Sequence, residues 1–185
     1  MEHKYNKQKR AIDFLPADPY KAIAEVCVLY DVDHILRELP AWLNMSFSHE
    51  CSAYDNLEDR SRFIEFYDNL LPFIEAAYAF RDIKIPNEYS GDYSVGVPYE
   101  FQYITMEEIA DPMIVIRRFC EQYPLLYVRI ELWDFFQAVQ FYDGLLKEAI
   151  YRYDTSCLHL YIQTLVEAFY LIWGQQHPTD AVASK

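Results

Sequence analysis

Residues 17–43 read ADPYKAIAEVCVLYDVDHILRELPAWL, and residues 110–136 read ADPMIVIRRFCEQYPLLYVRIELWDFF. Laid over each other at an offset of 93, the two stretches share 8 identities in 27 pairs. Average composition would give roughly one or two. The same register sets Trp42 on Phe135, Ile35 on Val128 and Leu43 on Phe136, and one deletion later Glu75, Ala76 and Tyr78 fall on Glu167, Ala168 and Tyr170. An internal duplication of this kind fixes the architecture before any single motif does.

The repeated positions have a physical reading as helices. Asp18-Pro19 and Asp111-Pro112 are start signals: the carboxylate accepts from free backbone N–H groups, and the proline sits where its missing N–H costs nothing. Thr105 followed by Glu108 has capping-box spacing and predicts an extra turn ahead of the second start. Ile23, Cys27 and Tyr30, like Ile116, Cys120 and Tyr123, recur at i, i+4 and i+7, one apolar stripe per helix. A second helix follows in each half, over 33–45 and 124–141, with Pro40 expected to kink the first. Third helices are expected over 57–80, behind an Asp55-Asn56 cap and interrupted at Pro72, and over 145–173, with Gly174 as its stop. Asp154-Thr155-Ser156 is a candidate break in the last.

Composition agrees. Of 185 residues 52% are apolar and 17% aromatic, while glycine and proline together number 13. That is too few for turn-dense sandwiches and barrels. The expected fold is all-α: a helical bundle built from two related three-helix repeats, joined by an extended or short β-hairpin-like connector. The divisions are a basic N-terminal tail (1–12), repeat 1 (13–82), an aromatic connector (83–104), repeat 2 (105–174) and a disordered tail (175–185), with both repeats in one compact domain.

The connector carries a different period. From Ile83 to Tyr103 the apolar residues, among them Tyr89, Tyr93, Tyr99, Phe101 and Tyr103, all hold odd numbers, and the even positions are polar, proline or glycine. Period two means extended chain with one buried face. It reads as a strap laid across the bundle or, more sharply, as an arm that pairs two copies into a homodimer.

Net charge is −13. Because Lys4, Lys7, Lys9 and Arg10 open the chain, the remaining 175 residues carry 12 bases and 28 acids, a net of −16. Such a body repels phosphate backbones, which argues against nucleic-acid partners. No run reaches the about 18 apolar residues of a membrane span, and no apolar leader follows the basic start, so a cytoplasmic chain with reduced cysteines is expected. With 4 glycines and no phosphate-loop, dinucleotide or zinc-protease motif, no cofactor is expected.

Four repeated carboxylates stand out: Glu38, Glu75, Glu131 and Glu167 lie in apolar helical stretches, where an ionised group needs partners. Either tyrosine hydroxyls (Tyr30, Tyr78, Tyr123, Tyr170) and arginines such as Arg37 or Arg129 satisfy them, or the four converge on one divalent cation. His49 with Cys51 and Cys157 with His159 form mirror-image pairs, but not at finger spacing. Arg152 and His159, in an expected helix, resemble the Arg-x(4–6)-His motif of the all-helical HEPN ribonucleases. That resemblance implies metal-independent RNA cleavage by the arginine and histidine, usually at a site shared by two protomers.

The function expected on balance is a non-catalytic protein–protein binding or scaffold module with an acidic, tyrosine-rich surface and an unidentified protein partner. The competing classes are the ribonuclease, which requires Arg152 and His159 exposed together, and an acidic mimic of nucleic acid.

Overall fold

The structure, a computed structural model, describes residues 15–47, 56–81, 83, 100–141 and 152–176. These form seven helices and no strand: α1 (Pro19–Leu29), α2 (Val32–Phe47), α3 (Leu57–Phe80), α4 (Met106–Ala110), α5 (Met113–Gln122), α6 (Leu125–Phe141) and α7 (Arg152–Gln176). Among the described residues, no helix is long and apolar enough to cross a membrane.

Local signals set most of the starts. Asp18 accepts from the Lys21 amide at 3.1 Å with Pro19 in the first turn of α1, and Asn56 accepts from Asp59 at 2.8 Å to open α3. The Thr105–Glu108 capping box is complete, with both reciprocal bonds present, and it creates the short α4. At Asp111 the detail differs from expectation. Asp111 ends α4 and accepts from the Met113 amide at 3.1 Å, so Pro112 precedes α5 rather than opening it.

The long helices also depart from the sequence reading. Pro40 and Pro72 lie inside continuous helices, each removing only one ladder bond. α7 runs through Asp154-Thr155-Ser156 and past Gly174. Thr155 is buried and its hydroxyl lies 3.5 Å from Glu131, so it serves a tertiary contact and does not break the helix. Gly174 sits in ordinary helical backbone, where an added Cβ would meet nothing within 4 Å. No left-handed residue is there to end the helix.

Helices pair across the chain more than along it. α1 packs on α3 and α7, α5 on α7 and α3, α2 on α7, α6 on α3, and α2 on α6. The core between them is aromatic. Trp42, Phe73, Phe80, Phe119, Phe135 and Phe169 are all essentially inaccessible, with Trp42 and Phe135 centroids 6.0 Å apart and Phe73 and Phe169 4.9 Å apart edge to face. Such rings bury large areas, and their edge-to-face contacts add about 0.5–1.5 kcal/mol each beyond burial. A second, smaller cluster of Ile104, Val115, Ala168 and Leu171 seats the end of the connector against α5 and α7.

Candidate functional site

The four repeated carboxylates go to separate partners. Glu75 on α3 accepts from Arg129 Nε on α6 at 2.5 Å, both side chains being about nine-tenths buried. Glu131 on α6 meets Thr155 of α7, and Glu38 is half-buried on α2. Glu167, wholly inaccessible on α7, accepts from three consecutive backbone amides, Gln102 at 2.8 Å, Tyr103 at 2.9 Å and Ile104 at 3.1 Å. Among the described residues no three His, Cys, Asp or Glu side chains gather as a metal site would need.

Two of the tyrosine hydroxyls expected on those carboxylates, Tyr78 and Tyr170, donate elsewhere. Tyr78 donates to the Tyr123 carbonyl at 2.7 Å, and Tyr170 donates to the Tyr30 carbonyl at 2.5 Å. Those carbonyls end α5 and α1, where helix geometry leaves oxygens without an internal partner. Burial pushes both phenols well above their ordinary range, so both stay protonated donors. Burial likewise raises the Cys27 thiol, making it a core residue beside Tyr170.

His159 lies in the core. It is 2% exposed, its ring is edge-on to Phe135 at 4.7 Å and Trp42 at 6.3 Å, and neither ring nitrogen has a hydrogen-bond partner. Burial depresses its pKa to about 4. The ribonuclease reading expects this imidazole at the surface; the fold places it inside the core. Arg152 begins α7, and its side chain is outside the described residues, as are His49 and Cys51.

Of the connector residues, Tyr89, Tyr93 and Tyr99 lie outside the described residues. Phe101 and Tyr103 are half-buried, with exposed Glu100 and Gln102 alternating, and Tyr103 Oη accepts from Gln163 at 3.3 Å. This end of the connector therefore docks on its own chain. The nine tyrosines whose burial is described are all buried or half-buried, at the rim of the core and not out on the surface. Among the residues whose burial is described, the exposed aromatic is Trp133, 39% accessible, which packs on Phe136 at 5.4 Å and Tyr67 at 6.4 Å.

Sequence reading named Glu108 as a capping residue but missed that it is a third buried acid, beside Glu75 and Glu167. Glu108 serves the capping box through Oε2 and also accepts from Arg118 Nη1 at 2.5 Å through Oε1. Burial alone would raise its carboxyl, but the Thr105 amide and hydroxyl and the Arg118 guanidinium outweigh that and hold it below its ordinary value. The pair borders a cleft of about 230 Å³ between the connector end, α5 and α7. The capping box was legible at this place; its arginine, ten residues away on another helix, was not. No protein-family model matches the chain, and no curated protein or solved structure matches it.

Proposed function

We propose that this chain is a non-catalytic protein-binding or scaffold module, built as a duplicated three-helix unit. The observation that carries the functional reading is where the chemistry-bearing groups go. Glu75, Glu167, Tyr78 and Tyr170 tie element to element inside the fold, and His159 is packed among rings. Among the described residues, the outward face carries charge, scattered aliphatic side chains and the edge of Trp133. Trp133 and the partly exposed Ile64 flank Tyr67, with exposed Glu65 and Asp68 on the same helix as Ile64. A partly exposed tryptophan on a chain of net charge −13 suits a basic protein partner.

Affinity enrichment with the full chain tests this. Wild type is expected to retain basic proteins that high salt releases, and Trp133→Ser is expected to lower their enrichment at least about tenfold. Identical profiles for wild type and variant would end the proposal.

The duplication draws its support from reciprocity. Exchanging α1 with α5, α2 with α6 and α3 with α7 maps the observed pairings among these six helices onto themselves; only the pairings of α4, which has no counterpart, fall outside the exchange. It also exchanges the two tyrosine bonds, since Tyr78 aligns with Tyr170 and Tyr30 with Tyr123. The rings stacked on those residues correspond as well: His34 lies on Tyr30 at 5.2 Å, and its partner position Tyr127 lies on Tyr123 at 6.0 Å. Equal roles imply equal costs. Tyr78→Phe and Tyr170→Phe are each expected to lower stability by about 1–1.5 kcal/mol in urea unfolding. A difference beyond about 1 kcal/mol between them would count against equivalence.

A further inference from the structure

We infer that the cleft beside Glu108 and Arg118 is a binding site for a small organic carboxylate with an apolar body. It is bordered by Tyr103 of the connector end, Arg118 of α5, and Leu160 and Tyr161 of α7. Its volume of about 230 Å³ lies below the usual range for drug-sized ligands, which starts near ~300 Å³, so the occupant is small.

The polar groups at the cleft are donors in excess. Glu108 is already saturated: Oε2 takes the Thr105 amide and hydroxyl, and Oε1 takes Arg118. Thr164 donates to the Leu160 carbonyl at 2.8 Å. Among the described residues Arg118 makes one bond, through Nη1 to Glu108, and its side chain is 53% exposed, which leaves the rest of the guanidinium fork for an outside acceptor. Tyr161 uses its ring against Tyr123 and its hydroxyl has no bond among the described residues, and Tyr103 Oη accepts from Gln163, which leaves its own O–H free to donate. Donors held without acceptors select an anion or a carbonyl. A fixed guanidinium favours the carboxylate, with which it forms paired, charge-assisted bonds.

The apolar requirement comes from Val115 and Leu160. Val115 is buried in the cleft wall, whereas Leu160 is 54% exposed at its edge, an area that a ligand's hydrocarbon part would cover. The acidic body does not forbid an anion here. Its repulsion is screened over about 8 Å in physiological salt, while the arginine contact is direct. The donor set also belongs to the second half alone: at the aligned positions of the first half stand Glu25 and Asn69 in place of Arg118 and Tyr161. Two aligned halves thus differ in chemistry at the place where the connector end and α4 are added.

Titration of the ¹⁵N-labelled full chain with benzoate, and with benzamide as its uncharged counterpart, tests the site. Benzoate is expected to shift the amides of 103–105, 115–118 and 160–164 saturably, with benzamide at least about tenfold weaker. Tyr161→Phe, which leaves the Glu108–Arg118 pair untouched, is expected to weaken benzoate at least about threefold; Arg118→Lys, which keeps the charge opposite Glu108 but loses the fork, is expected to weaken it about tenfold. Absence of saturable shifts up to about 20 mM benzoate, equal binding of benzamide, or unchanged affinity in both variants would overturn the assignment.

Discussion

Glu167→Ala is expected to lower the unfolding free energy by about 4 kcal/mol, the largest effect of any single substitution considered. The carboxylate is wholly inaccessible and accepts from three successive amides, Gln102, Tyr103 and Ile104. Hydrogen bonds to an ionised acceptor contribute about 1.5–3 kcal/mol each. Gln102 is at the surface, where water can replace the lost partner, but the Ile104 amide is buried and would be orphaned. Glu167→Gln keeps the volume and one acceptor oxygen, but turns an NH₂ toward donors; a loss of about 2 kcal/mol is expected. Urea unfolding measures both, and hydrogen exchange at residues 102–104 should accelerate before the rest of the fold. A loss under about 1 kcal/mol for the alanine variant would show that the connector end is not held by this group.

Acid is expected to remove about 3 kcal/mol between pH 6.5 and 4 through His159 alone. The folded imidazole, neutral and sealed against Phe135 and Trp42, has its pKa depressed by burial to about 4 from the ordinary histidine value of 6.5. In that window the unfolded chain binds a proton that the folded chain does not, so stability falls as pH falls. Its contribution is complete above the unfolded value and is lost once the folded value is passed. Carboxylates such as Glu108, held below their ordinary range, lose their share at lower pH. His159→Leu should therefore flatten the slope between pH 6.5 and 4 whatever it does to stability at pH 7. Denaturant midpoints at half-unit pH intervals read this directly; parallel slopes for wild type and variant would refute it.

Much of the fold was legible because helix ends are local events. Asn56 and Thr105 declare α3 and α4 through side chains that act within three residues, and α3 runs over the expected span. The end of α7 was not legible, because Gly174 stops a helix only when its backbone turns left-handed, and residues 165–173 are all buried except the half-buried Tyr170. The carboxylates were found by their apolar neighbours, and Arg129 was foreseen as a partner of one of them. The partners of Glu167 were not, since a backbone amide in irregular chain carries no side-chain signature. A repeat in sequence likewise does not say whether its helices pair within each half or between halves.

The pairing of α2 with α7 and of α6 with α3 sets how the chain must fold. Most helical bundles close through neighbours in sequence and reach the native state quickly, whereas here contacts such as Tyr170 to Tyr30 span 140 positions. As the chain leaves the ribosome, α1, α2 and α3 emerge with apolar faces whose coverings have not yet been made, and closure waits for α7. Native contacts between the two halves should therefore form late and together.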